Sequence, residues 1–167
     1  MSLIVYLAGP EVFLANSAAI GAQKKDICEK HGLTGRYPGD LPQDDDPVRL
    51  FRALVAMMDE SELVIANMTP FRGISIDAGT AMEIGYMYAR DRPVFGYTNT
   101  TESLAARVAP DGMLIEPFGL TDNLMCVAPT LEVGAHVVSH RAVESERFTD
   151  LRSFEDCVRL AVSRLIA

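Results

Sequence analysis

The chain has 167 residues, of which 49% are hydrophobic and 23% are charged, which predicts a single globular domain over residues 1–167 and excludes a disordered or collagen-like chain. The formal net charge of −8 argues against a nucleic-acid partner, because a surface that follows phosphates needs clustered Lys and Arg. The three scattered cysteines are typical of reduced thiols in the cytoplasm and not of a disulfide framework.

The chain begins with a continuous apolar run, residues 3–7, that ends at Gly9 and predicts a buried parallel strand rather than a signal peptide. Residues 12–29 have helical spacing, and Gly32 is the expected C-cap of that helix. Residues 35–47 are rich in Gly, Pro and Asp and predict a long loop. The chain contains no run of about 18 apolar residues, so we expect no membrane span.

The middle of the chain repeats the pattern of strand and helix. Residues 47–60 have helical spacing, and residues 63–67 form the next apolar run, which predicts a second buried strand. A loop at residues 68–79 is followed by a predicted helix at residues 80–90 and a third strand at residues 93–97.

Beyond residue 98 the pattern is weaker. It predicts a short helix at residues 102–108, a short strand at residues 136–138 and a closing amphipathic helix at residues 153–165. Strands that alternate with helices at this spacing predict an α/β fold, doubly wound in the manner of flavodoxin or Rossmann domains. Such a fold has a parallel sheet with helices on both faces.

Ligands of such sheets bind at the carboxyl ends of the strands, which selects the loops at residues 8–13, 68–79 and 97–101. In the first loop, Gly9 would let a ligand approach the backbone closely, although this loop alone favours a simple tight turn from strand to helix. No G-x-G-x-x-G dinucleotide motif follows the strand. The sequence thus indicates a small-ligand site at this edge.

Two carboxylates lie near the second loop. Asp77 comes just ahead of a predicted helix, where it could bind a ligand or cap the helix. Glu83 lies among apolar residues of that helix, which makes it a candidate nucleophile or acid–base group. The alternative for Glu83 is a surface ion pair with Arg90 or Arg92. These residue patterns alone leave both alternatives open.

Five segments of the chain together resemble the nucleoside 2-deoxyribosyltransferase family. They are YLAGPEVF (residues 6–13), VIANMTPFRG (64–73), DAGTAMEIGY (77–86), RPVFGY (92–97) and TDNLM (121–125), all in the family's order. The resemblance implies an enzyme that moves a 2-deoxyribosyl group between nucleobases, with deoxynucleosides and free bases as its ligands.

The resemblance also implies the chemistry. Glu83 would attack the anomeric carbon and form a covalent deoxyribosyl-enzyme, so that two inversions give net retention. Tyr6 would donate a hydrogen bond to Glu83, and Asp77 would bind the sugar hydroxyls. No cofactor and no metal would be needed, and the i, i+4 pair His136 and His140 is more typical of a strand than of a metal site.

Four further residues would bind substrate by the same resemblance. Gly9 would contact it through the backbone and Phe13 would pack on the base, while Asn123 and Met125 would reach into a neighbouring subunit's site. The active unit would then be a homo-oligomer, at least a dimer. Four of the candidate residues also have purely structural alternatives. Tyr6 would be a core residue of the strand and Phe13 a buried residue of the helix, while Asn123 would form a turn and Met125 would fill the core.

Recognition of the base is open. Some members of the family carry Asp or Asn in the helix before the second strand, where this chain has Leu54, with Asp59 nearby. The acidic loop at residues 44–46 is an alternative source of polar contacts.

Two other functions also remain open. One is an N-glycosidase in which water takes the sugar, and the other is a nucleoside-sensing module without catalysis. A 5′-phosphate would be repelled by Asp77, which favours nucleosides over nucleotides, although Arg72 offers a positive charge nearby.

Overall fold

The computed structural model describes residues 2–165, which form a five-stranded parallel sheet and six α-helices. In chain order the elements are β1 (Leu3–Ala8), α1 (Ser17–Lys30), β2 (Leu33–Arg36), α2 (Pro47–Asp59), β3 (Leu63–Asn67), α3 (Ala78–Ala89), β4 (Val94–Thr98), α4 (Leu104–Arg107), α5 (Leu124–Glu132), β5 (Val138–Ser139) and α6 (Arg152–Leu165). No helix within residues 2–165 is both long and apolar enough to cross a membrane.

The strand order is β2-β1-β3-β4-β5, and all neighbouring strands are parallel. Helices α1 and α6 cover one face of the sheet, where Cys28 and Phe154 are buried. Helices α2, α3 and α5 cover the other face with Met58, Ile84 and Val127. The predicted doubly wound α/β fold with helices on both faces is therefore confirmed.

The first predicted helix, residues 12–29, is wrong at its start. A one-turn 3-10 helix, Pro10–Phe13, comes first, and Leu14 is extended, so α1 begins only at Ser17. Within this turn the carboxylate of Glu11 is buried and accepts a hydrogen bond from the Tyr97 hydroxyl at 2.7 Å, so the turn is anchored to the sheet and not to α1.

Two elements were not predicted from the sequence. Strand β2 overlaps the predicted loop at residues 35–47 and buries only Leu33, since it lies at the edge of the sheet. Helix α5 contains Pro129, a residue that normally interrupts helices. The predicted strand at residues 136–138 overlaps β5, Val138–Ser139, only at Val138.

Helix ends follow the local chemistry of the sequence. Pro47 occupies the first turn of α2, and the Asp46 carboxylate accepts a hydrogen bond from the Val48 amide at 2.8 Å. Gly32 follows α1 with a φ of +81°, a conformation that suits glycine at a helix C-terminus.

The ring of Tyr37 packs tightly against backbone that has no side chain. Tyr37 is buried, and its hydroxyl is 2.8 Å from the Ser17 hydroxyl. A Cβ atom at Gly21 of α1 or at Gly39 would lie 2.5 Å from the Tyr37 Cε1 atom. The two glycines therefore make room for the ring.

We predict that Gly21→Ala destabilises the protein by about 1–3 kcal/mol, because the added methyl overpacks the Tyr37 ring. Urea denaturation measures this change in the free energy of unfolding. The matched control is Gly85→Ala in α3, where a Cβ meets nothing within 4 Å, so the helix should gain up to about 1 kcal/mol. Equal effects at both positions would contradict the packing argument.

Candidate active site

A cavity of about 270 Å³ opens beyond the carboxyl ends of the strands, between segments that follow β1, β2 and β3. It brings together four of the predicted site residues: Gly9, Phe13, Asp77 and Glu83. The full lining is Gly9, Val12, Phe13, Pro38, Leu50, Leu54, Asp77, Gly79, Thr80 and Glu83.

Glu83 lies in the second turn of α3, and its Oε1 accepts a hydrogen bond from the Tyr6 hydroxyl at 2.6 Å. Tyr6 is fully buried in β1, so its ring reaches α3 from the floor of the cavity. The proposed alternative, a surface ion pair, does not occur for Glu83 within residues 2–165, since Arg90 instead pairs with Asp59.

The protonation of Glu83 is strongly perturbed. Burial is the main cause that raises its pKa to about 7, and the negative charges of Asp77 and Glu11 add to the effect. The hydrogen bond from Tyr6 and the positive charge of Lys24 lower this pKa and so partly offset the increase. The pKa of Tyr6 is raised in turn by burial and by the carboxylate that it contacts. A carboxyl group with such a pKa is typical of functional sites.

Asp77 acts as the N-cap of α3. Its Oδ2 accepts hydrogen bonds from the Thr80 amide at 3.0 Å and from the Thr80 hydroxyl at 3.3 Å. Within the described chain its Oδ1 accepts no hydrogen bond from protein, and the residue lines the cavity. Capping and ligand binding are therefore compatible roles for this carboxylate.

The turn that carries Gly9 is held by a buried ion pair. The Glu11 Oε1 accepts from Lys24 at 3.0 Å, from Asn67 at 2.9 Å and from Tyr97 at 2.7 Å. Burial alone would raise the pKa of Glu11, but the Lys24 charge and the two neutral donors outweigh burial and keep this pKa low. Glu11 was not among the predicted site residues, and its place in the segment after β1 is the only sequence signal that could have identified it.

Gly9 itself is fixed by this arrangement. A Cβ atom there would collide with the Oε2 of Glu11 and would lie 2.9 Å from the Cβ of Asn67. Because Gly9 has no side chain, the buried Glu11 carboxylate can lie directly against the backbone of this cavity-lining residue.

Phe13 is 58% exposed at the mouth of the cavity and is therefore not a buried helix residue. Its ring stacks on that of Phe71, with ring centroids 5.4 Å apart and planes at 11°. This stack joins the loop after β1 to the loop after β3.

Asn123 and Met125 do not line the cavity of their own chain. Asn123 caps α5, since its Oδ1 accepts from the Met125 amide at 3.0 Å, and its amide group contacts Glu116 at 3.2 Å. Met125 is 77% exposed and is not core filler. One chain alone therefore leaves these two residues outside its site.

The candidates for base recognition are largely committed elsewhere. Asp59 accepts a hydrogen bond from Tyr86 at 2.7 Å and pairs with Arg90. Asp44 pairs with Arg49, and its pKa is lowered mainly by that hydrogen bond. Leu54 does line the cavity, so this part of the wall is apolar.

Potential metal ligands are dispersed. Within residues 2–165 no three His, Cys, Asp or Glu side chains are grouped to hold a metal ion. His140 is instead 2.8 Å from Asp156.

The chain is similar in sequence to known proteins. The sequence profile described as "Nucleoside 2-deoxyribosyltransferase" matches residues 5–125. An uncharacterized protein of Schizosaccharomyces pombe is 33% identical over 103 residues, which are 56% of this chain but only 49% of that relative. The chain thus spans about half of the relative's length.

Solved structures extend the likeness to the whole fold. A 2-desoxiribosyltransferase from Leishmania mexicana is 26% identical with a TM-score of 0.71, over 94% of this chain and 97% of that chain. A 2-deoxyribosyltransferase from Bacillus psychrosaccharolyticus is 18% identical with a TM-score of 0.53, over 88% and 92% of the two chains. The second likeness supports the fold alone.

We predict that Glu83 titrates near pH 7 in a carbon-13 NMR experiment on protein with labelled glutamate, assigned through Glu83→Gln. Tyr6→Phe should raise this pKa, because the carboxylate loses a stabilising donor. Asp77→Asn should lower it, because a neighbouring negative charge is removed. A wild-type Glu83 that titrates near the usual value of about 4.3 would contradict the described environment.

Proposed function

The chain belongs to the nucleoside 2-deoxyribosyltransferase family, and from this premise we propose that it transfers a 2-deoxyribosyl group from one nucleobase to another through a covalent intermediate on Glu83. The observation that carries the proposal is the Glu83 carboxylate itself. It is held by the Tyr6 hydroxyl at 2.6 Å, beside Asp77, in a cavity at the carboxyl ends of the strands.

The first half of the reaction forms the intermediate. A Glu83 carboxylate oxygen attacks the anomeric carbon, and the bond from that carbon to the base nitrogen breaks. The bonding electrons leave with the base, which takes up a proton. An incoming base then attacks the same carbon from the opposite side, loses a proton and regenerates the Glu83 carboxylate, so the configuration is retained overall.

The environment of Glu83 suits a group that alternates between carboxylate and ester. Its pKa of about 7 leaves both the carboxylate and its protonated form accessible near neutral pH. The Tyr6 hydroxyl occupies one oxygen of Glu83 and so fixes the side chain, while the second oxygen is left to face the sugar. Tyr6 is thus the positioning residue of this scheme.

Asp77 sets the class of substrate. Its free Oδ1 can accept hydrogen bonds from sugar hydroxyls, and its charge disfavours a phosphate group in the same place. The absence of a 2′-hydroxyl makes positive charge on the sugar easier to develop. We therefore propose neutral 2′-deoxynucleosides and free nucleobases as ligands, in nucleobase salvage.

A second copy of the chain would complete the site. Asn123 and Met125 lie outside their own cavity, and the segment that precedes them in the chain exposes the apolar residues Leu114 and Phe118. We propose a homo-oligomer, at least a dimer, in which Asn123 and Met125 reach the neighbouring cavity. The three free cysteines of the described chain support a cytoplasmic location.

Incubation of the protein with 2′-deoxyinosine and adenine should yield deoxyadenosine and hypoxanthine. Chromatography of the bases and nucleosides measures both products. Glu83→Ala should abolish this transfer while circular dichroism shows an unchanged fold, because only the nucleophile is removed. Hypoxanthine release without deoxyadenosine would instead assign an N-glycosidase. Binding without any turnover would assign a sensing module.

Subunit mixing tests the shared site. Glu83→Ala and Asn123→Ser, which keeps a helix-capping oxygen, should each be impaired as homo-oligomers. Dimers that combine one of each, purified through two different tags, should recover about half of the wild-type activity, because one of their two sites is intact. Failure to recover activity, or a monomer in sedimentation, would contradict the shared site.

A further inference from the structure

Arg72 lies in the loop after β3 in a conformation that is rare for its type. Its φ is +52°, and its guanidinium lies over the ring of Phe71 at 4.7 Å and over that of Phe13 at 5.2 Å from the centroids. A positive φ in a residue with a side chain persists only when the surroundings hold it in place. The two cation–π contacts supply that hold.

The hydrogen-bond donors of Arg72 are not used by the protein. Among residues 2–165 its side chain takes part in no hydrogen bond and no ion pair, whereas Arg107 donates to three backbone carbonyls and to Asp122. Stacking occupies only the face of a guanidinium. The N–H groups, which point outward in its plane, stay available to a ligand.

The cavity has two chemically different ends. Asp77 and Glu83 mark the end where the sugar must lie if Glu83 is to reach its anomeric carbon. The remaining wall, formed by Val12, Phe13, Pro38, Leu50 and Leu54, is apolar and is left for the base. Phe13 belongs to the end that we assign to the base, and the Arg72 guanidinium lies 5.2 Å from its ring centroid. A base packed on Phe13 would therefore lie next to this guanidinium.

We propose that Arg72 is a specificity-determining residue that donates hydrogen bonds to the base and favours 6-oxopurines over 6-aminopurines. This inference rests on the proposed transferase function. A guanidinium can donate two parallel N–H hydrogen bonds, like the tines of a fork, to two neighbouring acceptors. A 6-oxopurine presents such a pair as O6 and N7. Adenine presents an amino donor in place of O6, so it offers the fork only one acceptor.

The rest of the wall strengthens the assignment. The cavity lining contains no Lys or Arg side chain, and Leu54 faces it with methyl groups. An apolar wall discriminates bases weakly, whereas a single well-placed polar group discriminates strongly. Arg72 is not part of this lining, but it contacts the lining residue Phe13, and for this reason we assign it the separation of purines that have the same shape.

The test is a competition between hypoxanthine and adenine, at equal concentration, for the sugar of 2′-deoxyguanosine or thymidine. The ratio of deoxyinosine to deoxyadenosine is independent of how much protein is folded. The wild type should favour deoxyinosine, and Arg72→Met should reduce the ratio by about tenfold, since it keeps the apolar stem but loses the fork. Arg72→Lys should give an intermediate ratio. Arg92→Met, at the amino end of β4 and so at the opposite end of the strands from the cavity, should leave the ratio unchanged.

A wild type without preference for hypoxanthine, or an unchanged ratio in Arg72→Met, overturns the role of Arg72 and leaves the transferase function standing. Absence of transfer from any donor in the wild type overturns the transferase function and this inference with it. If the wild type turns over 2′-deoxyinosine 5′-monophosphate and Arg72→Met does not, the assignment of Arg72 to the base is wrong. The guanidinium would then bind the 5′-phosphate.

Discussion

The buried carboxylate of Glu11 is the interaction on which the geometry of the cavity depends. It lies in the turn after β1, yet it is held by three other elements, through Lys24 of α1, Asn67 of β3 and Tyr97 of β4. Loss of one partner of such a buried ion pair costs about 3–5 kcal/mol, because the other charge is left without compensation. The turn that carries Gly9 is therefore locked against two strand ends.

Burial is the main influence on the reactivity of Glu83. It raises the pKa of Glu83 to about 7, and the negative charges of Asp77 and Glu11 add smaller effects in the same direction. A carboxylate with a raised pKa is a stronger nucleophile than an exposed one, which suits attack on a sugar carbon. Glu11 therefore holds the turn after β1 and also contributes, as a lesser cause, to the raised pKa of Glu83.

A second buried carboxylate joins the cavity to the surface that would face a neighbour. Asp122 accepts hydrogen bonds from the Ser75 hydroxyl and the Ile76 amide, and it pairs with Arg107 at 3.3 Å. Ile76 precedes Asp77, and Asp122 precedes Asn123. The contacts of Asp122 therefore tie the loop that leads into Asp77 to the segment that leads into α5.

The sequence by itself determined the order of strands and helices over most of the chain, because buried strands and caps leave local signals such as residues 63–67 and Asp77. Its residue pattern also made Glu83 a candidate nucleophile, and the resemblance of its segments added the family and the expected contact between Tyr6 and Glu83. Only the tertiary structure decided that Glu11 is a buried anchor and that the Arg72 guanidinium lies over the ring of Phe13. Those contacts join residues far apart in the chain, and no local pattern encodes which distant partner a side chain will meet.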